Sequence, residues 1–135
     1  MSFDENTVLA ETVPACILVV EDEFLIRLMI SELMRDAGYR VIEASDADEG
    51  VDIIRSGVHL DLVFSDIRMP GSMDGLGFLL WVKSTKPDLP VIITSAHGDP
   101  VTATKCGAAH FVRKPYNIDV VVNLINEELK SFGAQ

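Results

Sequence analysis

From Ala15 to Val20 the chain is continuously apolar and rich in β-branched residues, then turns abruptly polar at Glu21, Asp22 and Glu23. An unbroken apolar run of that length predicts a parallel strand buried on both faces. From Phe24 to Ala37 the period lengthens. Ile26, Ile30, Leu33 and Ala37 fall on one stripe of a predicted helix, and Gly38 follows as a C′ glycine would. Tyr39 to Ala44 predicts a second, shorter strand. Ser45 is expected to cap the next helix, with Asp48 as its capping-box partner, and that helix runs to about Arg55 before Gly57. Asp61 to Ser65 predicts a third strand, which stops on another carboxylate, Asp66.

A loop with Pro70 and Gly71 leads to a third helix carrying Leu76, Leu79, Leu80 and Val82. Pro90 opens a fourth strand, Val91 to Ser95. A short, poorly periodic segment follows from Asp99 to about Cys106, closed by Gly107. Phe111 to Arg113 predicts a fifth strand, and a last helix starts near Asn117 with Ile118, Val121, Val122, Ile125 and Leu129 on its stripe. Strands alternating with helices at short spacing predict an α/β fold, a doubly wound five-stranded parallel sheet with right-handed crossovers. Ligands of such sheets sit at the carboxyl ends of the strands, where the winding reverses. If strands one and three are neighbours, the order is 2-1-3-4-5, and Glu21, Asp22 and Asp66 converge in one crevice.

Composition narrows the function. The 135 residues include 21 Asp and Glu against 11 Lys and Arg, for a net charge of −10. With 48% hydrophobic residues the chain reads as one globular domain, without repeats, low-complexity tracts or linkers. The acidity argues against nucleic acid as a direct partner and against docking on an anionic membrane. Cys16 and Cys106 show no CxxC or metal spacing and read as small buried hydrophobes in a reducing compartment. Met1 to Thr7 lacks the basic stretch of a secretory signal, and no apolar run approaches the roughly 20 residues that cross a bilayer. The expectation is a cytoplasmic protein whose acids are mostly solvated surface.

Three converging carboxylates repel one another, so the crevice makes sense around a cation. Hard oxygen donors beside a phosphate suit Mg²⁺, or Mn²⁺ in its place. Lys114 follows strand five and Ser95 ends strand four. A carboxylate free to attack, a hydroxyl, an ammonium and a divalent ion are what phosphoryl transfer to an aspartate requires.

The runs LVVEDE (18–23), SDIRMPGSMDG (65–75), TSA (94–96) and KPY (114–116), in register with the strand pattern, resemble the receiver domain of two-component response regulators. The likeness covers residues 15–131, between a polar tail at 1–14 and a short tail at 132–135. It implies the flavodoxin-like receiver fold, with Asp66 as phosphoacceptor, Glu21 and Asp22 as the acidic pair at the metal, and the Arg68 carbonyl as a further ligand. It also implies Lys114 at the phosphoryl group, joined to Pro115 by a cis bond, Ser95 as the switch hydroxyl and Phe111 as the aromatic that follows it. The implied partners are a histidine kinase or histidine phosphotransfer protein and a downstream protein target, with output by protein contact or onward phosphotransfer. So few residues outside the domain imply a stand-alone receiver.

The segment between Ser95 and Lys114 is about one helical turn shorter than usual for the family, which predicts a stunted fourth helix. That helix belongs to the family's dimer face, so the expectation is a monomer or weak dimer. Arg68 and His97 occupy positions that set phosphate lifetime in receivers; they either orient the attacking water or point to solvent. Phe24, Leu25, Leu28 and Met29 add apolar surface to helix one. Either they widen the core-facing stripe or, with Pro115 and Tyr116, they dock a partner helix. Two other readings stand beside the receiver. A degenerate receiver would only bind partners. An aspartyl-nucleophile phosphatase would need a second aspartate where Arg68 stands, and a cap insertion. A dinucleotide fingerprint fails, because Gly75 and Gly77 follow a loop and lack a third glycine.

Overall fold

Residues 13–133 are described by a computed structural model. The predicted tail lies, up to residue 12, outside the described residues. The elements are β1 (Cys16–Val20), α1 (Phe24–Asp36), β2 (Arg40–Ala44), α2 (Ala47–Arg55), β3 (Leu62–Asp66), α3 (Gly75–Thr85), β4 (Val91–Ser95), α4 (Pro100–Lys105), β5 (His110–Arg113) and α5 (Ile118–Gly133). All strand pairs are parallel, in the order β2-β1-β3-β4-β5. The neighbour condition left open by the sequence is met: β1 pairs with β3.

Every residue of β1, β3 and β4 is buried. The two-residue alternation of a strand divides them between two cores. Ile17 and Val19 of β1, Leu62 and Phe64 of β3, and Ile92 of β4 meet Ile30 and Met34 of α1 and Val121 and Ile125 of α5. Leu18, Val20, Val63, Val91 and Ile93 face the other way, onto Val51 and Ile54 of α2, Phe78, Leu79 and Val82 of α3, and Ala103 of α4. Each fully buried aliphatic side chain stabilises the fold by about 1.5–3 kcal/mol relative to exposure.

Some local expectations shift. The N-cap of α2 is Asp46, not Ser45: Asp46 is extended (φ −156°, ψ 176°) and accepts the Glu49 N–H at 2.8 Å. Glu49 replaces Asp48 in the reciprocal bond, accepting the Ser45 N–H at 2.6 Å. Asp48 accepts instead from the Ser72 hydroxyl at 2.8 Å, fastening the β3–α3 loop to α2. On α1 the inward face is Ile30, Ser31 and Met34. Ala37 is exposed because it is the C-cap, one residue past the last turn. Cys16 is buried but Cys106, at the end of α4, is only half-buried. Helix α4 spans six residues, capped by Asp99, which accepts from the Val101 N–H, and followed by Gly107 at φ +107°. The stunted fourth helix is thus present, and α5 runs to Gly133.

Candidate functional site

Strand parity assembles the site. Continuing the β1 alternation one residue past its end puts Glu21 on the α1/α5 side with Ile17 and Val19. Asp66 follows Leu62 and Phe64 to that side, and Lys114 follows Val112. Ser95 and Phe111 have the opposite parity and face α4. The carboxyl-terminal end of the sheet therefore carries charged groups on one side and a hydroxyl and an aromatic ring on the other.

Lys114 Nζ donates to Asp66 Oδ2 at 2.8 Å and to Glu21 Oε1 at 3.1 Å. Glu21 Oε2 accepts the Glu23 N–H at 3.1 Å, and Asp66 Oδ1 accepts the Arg68 N–H at 3.2 Å. Arg27 braces the acidic turn from α1, donating to the Glu21 carbonyl at 2.8 Å and pairing with Glu43 of β2 at 3.4 Å. Glu21 is only 2% exposed. Burial pushes its carboxyl up to about 7 against the pull of the Glu23 N–H and the Lys114 ammonium. Burial also disfavours the Lys114 charge, but the hydrogen bond and charge of Asp66, joined by Glu21, outweigh it and hold that ammonium above its ordinary pKa. The two shifts arise differently: burial outweighs the partners at Glu21, and the partners outweigh burial at Lys114.

One carboxylate oxygen from each of Glu21, Asp22 and Asp66 lies within 4.8 Å of the others. Asp22 is exposed, so the cluster opens to solvent on its side. Hard oxygen donors, two buried and one open, fit Mg²⁺ or Mn²⁺ with room for water and a phosphoryl oxygen. The Arg68 main chain reaches the cluster, while the Arg68 and His97 side chains are exposed.

On the α4 side, the Ser95 hydroxyl is buried and accepts the N–H groups of His97 at 3.2 Å and Gly98 at 2.9 Å. Phe111 is half-buried, packed on the α4-side core. The Lys114–Pro115 bond is cis. Tyr116 meets Phe64 edge-on at 5.9 Å, and burial pushes its phenol up to about 12. On α1, Phe24 and Leu25 are 60% and 75% exposed, and Leu28 and Met29 are exposed beside them. They do not widen the core stripe.

Two supports escaped the sequence reading. A Cβ on Gly75 would lie 2.2 Å from the Asp66 carbonyl oxygen, so only glycine lets α3 begin this close behind the phosphoacceptor candidate. Arg113 binds the carbonyls of Ala96 and Gly98 at 3.1 and 3.0 Å. In the sequence Gly75 stands out only as following a loop and ending the SDIRMPGSMDG run, and nothing in the pattern marks Arg113.

Residues 17–126 match the family model for the response regulator receiver domain. Among curated proteins, the DNA-binding transcriptional regulator NtrC of Klebsiella pneumoniae is 35% identical over 120 residues, 87% of this chain and 25% of that one. The nitrogen assimilation regulatory protein NtrX of Azorhizobium caulinodans is 36% identical over 119 residues, 85% of this chain and 26% of that one. The chain thus spans about a quarter of the length of these relatives. A receiver domain protein of Clostridium thermocellum superposes with a TM-score of 0.83 at 32% identity, covering 89% of this chain and 98% of its own. The chemotaxis response regulator CheY4 of Vibrio cholerae follows at 0.78 and 27%, covering 86% of this chain and 99% of its own.

Proposed function

Because the chain belongs to the response regulator receiver domain family, we propose that Asp66 accepts a phosphoryl group from a phosphohistidine and passes the signal on through the protein's surface. The observation that carries this reading is Lys114 Nζ, 2.8 Å from Asp66 Oδ2 and 3.1 Å from Glu21 Oε1 at the mouth of an acidic cluster. An ammonium there neutralises part of the cluster's charge and stands ready to contact an incoming phosphoryl oxygen.

An Asp66 carboxylate oxygen attacks phosphorus, and the P–N bond breaks with its electron pair returning to the imidazole of the donor. Lys114 stabilises the charge on the phosphoryl oxygens as transfer proceeds. Magnesium or manganese held by Glu21, Asp22, Asp66 and the Arg68 carbonyl would offset the same charge. The Ser95 hydroxyl donates to the acyl phosphate once it exists, and Phe111 follows, shifting a pre-existing equilibrium between two surfaces. Water later cleaves the acyl phosphate, returning phosphate and the Asp66 carboxylate. Arg68 and His97 flank that step and tune its rate.

Receiver domains interact with histidine kinases. The exposed strip of Phe24, Leu25, Leu28 and Met29, together with exposed Pro115 and half-buried Tyr116 after β5, gives the helical bundle of a histidine kinase or phosphotransfer protein an apolar landing. Such donors place the chain in the cytoplasm. Its output is contact with a protein target or onward phosphotransfer. No described helix is long and apolar enough to cross a membrane.

The test is Mg²⁺-dependent labelling by a small phosphodonor, wild type against Asp66→Asn. Labelling of wild type alone is expected. Equal labelling of both, or of neither, refutes the reading.

A further inference from the structure

One side chain that the phosphoryl chemistry does not use grips the turn after β4. Arg113 Nη1 donates to the Ala96 carbonyl at 3.1 Å, and Nη2 donates to the Gly98 carbonyl at 3.0 Å. The same guanidinium lies over the Phe111 ring, 5.2 Å from its centroid. The gripped turn is the one that holds Ser95, whose Oγ accepts the His97 and Gly98 N–H groups. Ser95 and Arg113 are register partners across the β4–β5 pair, which puts the fork directly beside the hydroxyl's strand position.

Three features make this more than a surface contact. Both lone pairs of the Ser95 oxygen are engaged by the turn, so the hydroxyl cannot move far without losing those bonds or carrying the turn with it. The turn itself is tight: a Cβ on Gly98 would lie 2.7 Å from Ile67 Cδ1 and 3.1 Å from Ser95 Cβ. And Arg27 and Arg35 pair with carboxylates, whereas Arg113 places both forked donors on main-chain carbonyls, where a rigid planar group spans two acceptors at once.

We propose that Arg113 is a positioning residue that links the two switch groups: it holds the β4–α4 turn, and through it the Ser95 hydroxyl, in the resting placement, with Phe111 as its platform. This rests on the phosphoacceptor reading of Asp66. When Ser95 is drawn towards an acyl phosphate and carries the turn with it, the turn slips from the Arg113 fork. A change at Phe111 moves the platform and loosens the same fork, so the hydroxyl and the ring are tied by a physical contact.

The test uses the full chain with Mg²⁺ and beryllofluoride, a mimic of the aspartyl phosphate, following the amide NMR signals of His97 and Gly98. Arg113→Met keeps an unbranched side chain and removes the guanidinium, both its fork on the turn and its seat over Phe111. It should shift both signals towards their beryllofluoride-bound positions before any ligand is added, and tighten beryllofluoride binding about fivefold. Arg113→Lys, with one donor group in place of a fork, should fall between. In a Ser95→Ala background the Arg113→Met gain should shrink below about twofold, because the group being positioned is gone. Unmoved signals with unchanged or weakened binding in both Arg113 variants overturn the proposal, as does an undiminished gain without Ser95. A wild type that binds no beryllofluoride overturns the phosphoacceptor reading first, and this one with it.

Discussion

On the α1/α5 side of the sheet, Glu21, Asp66 and Lys114 meet through short hydrogen bonds in a largely buried site. On the α4 side, Ser95, Phe111 and Arg113 are joined through an exposed turn that leads into a helix of only six residues. The first arrangement is over-determined. Each charge there has been taken from water and depends on its partner, so losing one leaves another unpaired at a cost of several kcal/mol. The second is held by bonds to exposed main chain, each contributing about 0.5–1.5 kcal/mol, so its members move at modest cost. A receiver needs both: a fixed place to form the acyl phosphate and a yielding place to register it.

The comparison is broken most directly at its most rigid point. Gly75→Ala would put a methyl against the Asp66 carbonyl and the Ile67 backbone, neither of which is a flexible side-chain end. We expect a loss of about 3 kcal/mol in urea unfolding. A loss under about 0.5 kcal/mol would mean that the seat of Asp66 yields as readily as the α4 side.

Next in size, Lys114→Ala should slow labelling by a small phosphodonor about a hundredfold, equivalent to about 2.7 kcal/mol of transition-state stabilisation. Far-UV circular dichroism checks that the variant is folded. A rate within about threefold of wild type would remove Lys114 from the charged side's chemistry.

On the other side, Phe111→Ala removes a half-buried ring and should cost about 1.5 kcal/mol of stability, while labelling stays within about threefold of wild type. If labelling collapses as it does for Lys114→Ala, the two sides are one machine and the division fails.

The sequence made the charged side legible and the α4 side only in part, for a physical reason. Strands β1, β3 and β4 are buried on both faces, and that writes unbroken apolar runs into the chain. A carboxylate that ends such a run stands out, as Glu21 and Asp66 do. Strand order needed one further fact, the β1–β3 pairing, which no local pattern contains. Arg113 looks like any solvated cation in an acidic chain, because its carbonyl partners exist only once the β4–α4 turn is folded. Gly75 looks like an ordinary helix-start glycine until Asp66 is behind it. The α2 cap slipped by one residue because Ser45 and Asp46 are both good caps, and only the backbone angles decide between them.

The smallest structural effect sharpens the comparison furthest, because it asks from which side the donor approaches. Leu25 is 75% exposed at the start of α1, on the charged side. Leu25→Glu should change stability by no more than about 0.5 kcal/mol, since no packed group is disturbed. Labelling by a small phosphodonor should be unchanged, because that reaction needs only the crevice. Transfer from a histidine kinase that phosphorylates the wild type should slow about tenfold, near 1.4 kcal/mol, if its helices land on the apolar strip. That split between donors assigns entry of the phosphoryl group to the α1/α5 side and leaves the yielding α4 side free to report it. Equal slowing with both donors would instead trace the effect to the acidic turn at Glu21, three residues before the helix begins, and the strip would lose its role in docking.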